Sequence, residues 1–526
     1  MSSSINYQLL NDFIADALLR FVEFNTKNLN WNTAGEGSFI LKLFVTIYNT
    51  VLALYILLFT SNIIFGFLIT RYITVKNFFY YINLLITTFI FYLILFKLIL
   101  TLKIENALSL HIFDLRLEFL KANPNLTPIE STLTFTTGFG DALLLLSVLV
   151  GILCIDLLGI KNLHNSISNI SIFYLFNIFI ITMITTNNLL IMFISFEFIF
   201  LPTMFFAYSK GYAKKVDKAS EILFYWTLFG SFTVLVSLTY LYYKYNTLNY
   251  LYLYKKQFTD HEVILIFITI ILGFGVKIPI VPFHYWLLKV HVESPTAFSI
   301  FLSGFLVKSA FYCVYMLMGL FYNTYIYMFL MVWVLLSLIV GTWGLAEQED
   351  FKKLIAWATI QEMSFMLLFL IYKQLFLTSC CVLFLLLHGI MSSFMFFLVD
   401  ILHRRFKTRS IKLSMGLNVT CPKLIPYCWF LILLFSGFPL TVKFYLEWNL
   451  AVMLLTSHFY VLMFALFTVN VLGVLFFSRI LLSLMYGSLE KSTTEMDIVD
   501  IGVKEKMILD CLVYLILILT VLIYMF

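Results

Sequence analysis

Three stretches of this chain carry no Asp, Glu, Lys or Arg: Asn162–Phe196 over 35 residues, Ser309–Ala346 over 38 and Trp448–Ser478 over 31. A helix needs about 20 apolar residues to cross the hydrocarbon core of a bilayer. A water-soluble fold would have to enclose all three runs. The chain is 62% hydrophobic and 12% charged, which leaves too little polar surface to cover them. A soluble globular protein and a disordered chain are both excluded. In lipid the backbone must satisfy its own hydrogen bonds, so runs of this length form helices. The fold class is an all-α polytopic membrane protein.

Apolar runs between polar punctuation predict about fourteen spans, near 39–69, 77–101, 140–160, 168–187, 188–208, 221–243, 263–282, 297–320, 325–346, 353–372, 375–401, 425–447, 450–478 and 507–526. Four regions follow. Residues 1–139 hold polar N-terminal segments and the first two spans, 140–320 a first repeat region and 321–480 a second, and 481–526 a connector and the last span. Residues 1–38 and 102–139 are more polar and are expected to form interfacial helices or loops on one side. Residues 1–21 lack the pattern of a presequence or signal peptide, so no cleaved leader is expected.

The basic residues sort by side. Loops on the side opposite the termini hold twenty of them, among them Lys214, Lys215, Lys289, Lys352, Arg404, Arg405, Arg409 and Lys412. Loops on the side of the termini hold eight, such as Lys103, Arg116, Lys244 and Lys256. The positive-inside rule assigns the richer side to the matrix or cytoplasm and both termini to the other side. A net charge of +6 is explained by these loops, and nucleic acid is not an expected partner. Seven cysteines show no metal-ligand spacing. The weight of Phe (58) and Tyr (31) fits synthesis from an AT-rich organelle genome.

Two spans are interrupted, one by Gly273-Phe-Gly275-Val-Lys277-Ile-Pro279, the other by Ser436-Gly437-Phe438-Pro439. They are the seventh and twelfth, five spans apart. Paired interruptions at matching places mark inverted-repeat transporters, whereas either alone would read as an ordinary proline kink. The same region carries ionisable groups at membrane depth: Glu197, Lys277, Lys308, Glu362, His388 and Glu447. Each costs about 2.5–3.5 kcal/mol at a helix centre and is a functional candidate. A static buried ion pair is the alternative for any single one, with Lys443 the local partner for Glu447, and for Lys443 and Glu362 both readings stay open. Six such groups of both signs, linked by water, form a path for protons.

These residues resemble the antiporter-like, proton-pumping membrane subunits of respiratory complex I, from about residue 185 to 450. Phe196-Glu197 with Leu201-Pro202 is similar to that family's fifth-helix motif, and Phe224-Tyr-Trp226-Thr-Leu228 with Gly230-Ser231 to its sixth. Val276-Lys277-Ile-Pro279, His284-Tyr-Trp286 and His291-Val-Glu293-Ser-Pro295 form the most specific stretch. Lys308 follows Lys277 at the family's lysine spacing, and Asp350-Phe-Lys352-Lys and His388-Gly389 with Ser392-Ser393 resemble its tenth and eleventh helices.

The resemblance implies two inverted five-helix repeats with helices 7 and 12 broken. It implies proton transfer through Glu197, Lys277, Lys308, His388 and Glu447, with His284 and Glu362 in the connecting water chain. Glu362 stands where relatives often have His, and Pro439-Leu-Thr-Val-Lys443 replaces a Gly-rich segment. The first 140 residues match poorly. In the chain 4 branch of the family the position of Glu447 is Glu, and in the chain 2 and 5 branches it is Lys.

The expected function is a proton-translocating membrane-arm core subunit of complex I, in the mitochondrial inner membrane with both termini toward the intermembrane space. No cofactor is expected on this chain. NADH, FMN, iron–sulfur clusters and ubiquinone would be handled by other subunits. The expected partners are other complex I membrane-arm subunits and inner-membrane lipids. The alternatives are a sister subunit, a cation/proton antiporter subunit and a structural membrane scaffold.

Overall fold

A computed structural model describes residues 138–525 except 160–162, 211–214, 255, 257, 321–323, 372–374 and 489–498, together with parts of 51–60 and 86–94. Most of the predicted spans 39–69 and 77–101, and nearly all of the polar segments 1–38 and 102–139, lie outside the described residues, and the described parts of both spans are helical. Among the described residues the regular structure is helical, with two isolated β-bridges and no strand.

The helices are α1 (Gly138–Gly159), α2 (Leu163–Thr185), α3 (Leu189–Lys210), α4 (Lys215–Tyr245), α5 (Asp260–Lys277), α6 (Tyr285–Glu293) and α7 (Thr296–Phe301). A π turn, Leu302–Leu306, joins α7 to α8 (Val307–Leu320). There follow α9 (Thr324–Ala346), α10 (Phe351–Ile371), α11 (Leu375–Phe406), α12 (Ile425–Phe435), α13 (Val442–Thr456), α14 (Tyr460–Tyr486) and α15 (Val503–Met525). At least six helical segments are long and apolar enough to cross a bilayer, so the chain is a multi-pass membrane protein.

One boundary differs from the sequence reading. The predicted end of the twelfth span at 447 and start of the thirteenth at 450 fall inside α13, which runs unbroken to Thr456. Trp448 and Asn449 are not helix breakers. The chain turns at Ser457-His458, where His458 adopts φ 64°. Glu447 therefore sits inside a half-helix rather than at its end.

Two kinds of helix make up the bundle. The α7–α8 span, α10 and α11 are inner helices, with 94% of their most apolar window enclosed, against 33% for α4 and 28% for α14. The outer helices expose Tyr225 and Phe232 on α4, Phe329 and Trp343 on α9, and Phe464 and Phe467 on α14. In water such faces would drive association, whereas lipid accepts them. Lipid gives no hydrophobic drive between helices, so close contact must hold them together. Gly230 on α4 and Gly273 on α5 supply one such contact. A Cβ built on Gly230 would lie 2.7 Å from the Gly273 carbonyl oxygen.

The loops collect into two groups. At one end Leu189 and Tyr250 donate to the carbonyls of Leu248 and Asn187, and Lys244 pairs with Glu262. At the other end Phe351 and Ile411 donate to Arg409 and Glu349, and Lys352 Nζ donates to the Ser294 carbonyl at 2.6 Å. Arg405 there ties Val499, Asp500 and Glu505 to α11.

Candidate functional site

The first break follows α5. Glu262 accepts from the Thr259 amide at 2.8 Å and starts the helix. Beyond Lys277 the chain turns through Pro279 and Pro282, which cannot continue a helix. The freed backbone groups are satisfied inside the protein, as membrane depth demands. Trp286 Nε1 donates to Val276 at 2.7 Å, Trp333 Nε1 to Val281 at 2.6 Å, and the Val281 amide to Ser337 Oγ at 3.2 Å.

Lys277 is thus fixed at a helix end, almost fully buried. Its ammonium donates to Glu197 Oε1 on α3 and lies 3.3 Å from Ser231 Oγ on α4. The rings of Phe196 and Phe200 cover it at 4.2 and 4.8 Å. The close α4–α5 crossing at Gly230 and Gly273 brings Ser231 within reach. Cys313 on α8 is close enough to feel both charges of the pair.

Lys308 is completely buried on α8. Its ammonium donates to the Ser303 carbonyl at 2.5 Å. That carbonyl lies in the π turn, where backbone bonds run i to i+5. His388, on α11, is buried as well. Its Nδ1 finds no partner among the described residues.

The second break separates α12 from α13. Gly437 takes φ 59° and Leu440 φ 82°, both in the left-handed region. Thr441 caps α13, accepting from the Phe444 amide at 3.3 Å. Lys443 Nζ donates to Glu362 Oε1 on α10 at 2.6 Å and to the Phe435 carbonyl at 2.8 Å. Glu447 Oε1 is 3.6 Å from the same ammonium, and its Oε2 accepts from Asn470 Nδ2 at 2.6 Å. Glu447 borders an open, mainly apolar groove of about 560 Å³ between α13 and α14, lined by the exposed Trp448, Phe464 and Phe467.

Both breaks hold a lysine against a carboxylate on a packed helix, 80 residues back for Lys277 and 81 for Lys443. Each ammonium also faces a phenylalanine ring, Phe435 lying 4.3 Å from Lys443. Lys308 and His388 are buried on α8 and α11, outside the two pairs, and Glu197 is partly exposed. His284 sits apart in the first break, half-exposed, with its ring 5.1 Å from that of Trp357.

Sequence reasoning left Lys443 open and did not single out His291. Lys443 takes its shorter bond from Glu362 on another helix, which spacing along α13 does not reveal. His291 is fully buried against Phe396, with ring centroids 4.9 Å apart. Its only sequence signal was its place in the His291-Val-Glu293-Ser-Pro295 stretch. Lys352, counted with the loops, is buried too, because it reaches back to Ser294.

Several buried polar atoms on the helices around these groups lack a protein partner among the described residues: Ser303 Oγ, His388 Nδ1, both amide atoms of Gln361 and Asn470 Oδ1. Buried polar groups of this kind are ordinarily satisfied by internal water.

A multi-pass bundle whose broken helices each hold a buried lysine–carboxylate pair falls in the class of antiporter-like membrane subunits. The chain belongs to the NADH:quinone oxidoreductase/Mrp antiporter transmembrane family, whose profile matches residues 186–473 and takes in all of both breaks. It is 32% identical over 309 residues to NADH-ubiquinone oxidoreductase chain 4 of Paramecium tetraurelia, covering 59% of this chain and 65% of the relative. The chain 4 protein of Acanthamoeba castellanii is 31% identical over 301 residues, 56% of this chain and 59% of the relative. The chain thus spans about three fifths of these relatives' length.

Solved structures share the fold. A chain of the membrane-bound sulfane sulfur reductase, an archaeal respiratory membrane complex, superposes with a TM-score of 0.71 at 19% identity, over 88% of this chain and 75% of that one. A chain of respiratory complex I from Thermus thermophilus with bound aureothin gives 0.69 at 16% identity, over 90% and 97%.

Proposed function

We propose that this chain is a proton-translocating membrane-arm core subunit of respiratory complex I, of the chain 4 type. The observation that carries the reading is the pair of broken helices, each holding a buried lysine against a carboxylate, with the buried Lys308 and His388 on neighbouring helices. The names of the relatives sharpen it to complex I.

In this reading Glu197 sets the proton affinity of Lys277. A strong Glu197–Lys277 pair keeps the ammonium charged, and loosening it frees a proton toward Lys308. Lys308, held by the Ser303 carbonyl, accepts and passes it on. His388 carries it across to the second break, and Glu447 is the terminal site beside the groove. His284 would join the water chain from the loop side. Electrons, flavin, iron–sulfur clusters and ubiquinone would be handled by other subunits, and coupling would reach this chain through its membrane-arm neighbours. The loop containing Arg404 to Lys412 would face the matrix of a mitochondrion and both termini the intermembrane space.

The test is the native assembly. Tag the chain, solubilise the membranes gently and assay the purified complex. NADH-oxidising activity and NADH-driven proton uptake after reconstitution are expected. Cation flux without NADH oxidation would establish an antiporter subunit instead, and neither activity would establish a scaffold. Impermeant labelling of the 403–412 loop in mitoplasts should succeed only from the matrix side.

A further inference from the structure

Two carboxylates share one ammonium at the second break. Lys443 and Glu362 are 0% and 1% exposed, and Glu447 is 15% exposed. With all three ionised the cluster would carry one uncompensated negative charge inside the bundle, where such a charge costs several kcal/mol. While the His388 ring is neutral, its surroundings do not cancel that charge. Lys443 meets Glu362 from α10 and Glu447 from its own helix. From α11 it acts on the His388 ring, from α12 it meets the Phe435 carbonyl, and α14 brings Asn470 to Glu447. Neither the carbonyl nor the amide titrates. A static ion pair needs one acid for one base, and here there are two acids. The cluster is neutral when it holds one extra proton on either carboxyl.

The ammonium lies nearer Glu362, at 2.6 Å, than Glu447, at 3.6 Å, so negative charge is better compensated on Glu362 and the extra proton costs least on Glu447.

We propose that Lys443 is a positioning residue for proton transfer, an ammonium shared between Glu362 and Glu447 that sets the direction of release. A proton arriving from the His388 side binds the Glu362 carboxylate, forming one O–H bond. The ammonium, losing that partner, moves to Glu447. Glu447 gives up its proton on its partly exposed side, breaking one O–H bond and becoming the new carboxylate partner. One proton has come in and one has left, and Lys443 keeps its three protons throughout. Anchorage to Phe435 across the break keeps the ammonium between the two acids while it moves. Of the three groups only Glu447 is partly exposed, so release is one-sided.

The inference rests on the reading of the chain as a proton conductor, so its test carries a separate control. Prepare sealed inner-membrane vesicles with assembled complex bearing Glu197→Gln, Lys443→Met, or Glu362→Gln with Lys443→Met. Measure NADH-driven proton uptake per complex, and complex abundance on native gels. Lys443→Met should lower uptake by about tenfold or more. The double variant removes one charge of each sign and should restore abundance but not uptake. Recovery of uptake in the double variant would reduce the cluster to a structural pair and overturn the proposal. Normal uptake in Glu197→Gln would instead defeat the wider proton-conducting reading.

A second readout does not depend on the double variant assembling. Infrared difference spectra of wild type and Glu447→Gln should differ by one protonated carboxyl band. If that band is unchanged by Glu447→Gln, the extra proton is not where the geometry puts it, and the proposal fails.

Discussion

Replacing Glu197 by Gln tests the first break most directly, because it removes the counter-charge of Lys277 while keeping size and a hydrogen-bond acceptor. Removing one partner of a buried ion pair costs about 3–5 kcal/mol. Part of that loss is returned, since the Gln carbonyl oxygen can still accept from the Lys277 ammonium at about 1.5 kcal/mol or more for a bond to a charged group. The Phe196 and Phe200 rings and Ser231 remain in place in the variant, so the ammonium is not left bare. The net change in the free energy of holding the charge is about 2–3 kcal/mol. If all of it falls on the proton-transfer step, the rate drops roughly 30- to 160-fold. Turnover limited partly by other steps will show less, so about tenfold is the expected loss. The assay is NADH-driven acidification in sealed vesicles, normalised to assembled complex. An assembled variant pumping within about twofold of wild type would refute the argument, because a change of this size cannot be silent if Lys277 carries the proton.

Gly273→Ala should lower the amount of assembled complex, because the new Cβ would stand 2.4 Å from a Val234 methyl and 2.8 Å from the Gly230 carbonyl, at about 1–3 kcal/mol of overpacking. Gly502→Ala, with nothing within 4 Å, is the matched control and should leave abundance unchanged. Arg405→Ala removes bonds to Val499, Asp500 and Glu505, so limited proteolysis should cut the connector before α15 faster, for a loss of about 2–4 kcal/mol. At the exposed Glu349–Lys412 pair, hydrogen bonding to Lys412 holds the Glu349 carboxyl below its usual range. Any contribution is present above the ordinary carboxylate range and fades as pH falls through the lowered value, so Glu349→Gln should leave assembly unchanged between about pH 6 and 8.

The buried charges were legible in the sequence because the apolar runs around them are so long. Glu197 stands alone in its span, and a lone charge in hydrocarbon must have a partner somewhere. The two breaks were legible from Gly and Pro, whose backbone chemistry is local. What was not legible depends on contacts between helices. Lys443 and Glu447 are four residues apart on one face, which suggests a local pair. The packing of α10 against the second break brings Glu362 closer still. The π turn before Lys308 has no sequence signature beyond Ser303-Gly304 within an apolar run. The end of α13 was misplaced because Trp448 and Asn449 interrupt the apolar pattern without interrupting the helix. His291 was overlooked because a histidine in a short loop between spans reads as exposed until α11 is packed over it.

The π turn at Leu302–Leu306 makes this span tolerant of length in an unusual way. A π turn is accommodated locally, so the α-helical segments on either side keep their places when it relaxes to α geometry by loss of one residue. A one-codon deletion within Leu302–Leu306 would therefore leave α7 docked at one end and α8 docked at the other. The change would fall on the Ser303 carbonyl, drawn back into the helix ladder and away from the Lys308 ammonium that now uses it. Gene length at this point is thus uncoupled from the span's position, and a natural one-residue deletion here would mark a lineage that holds this lysine by other means.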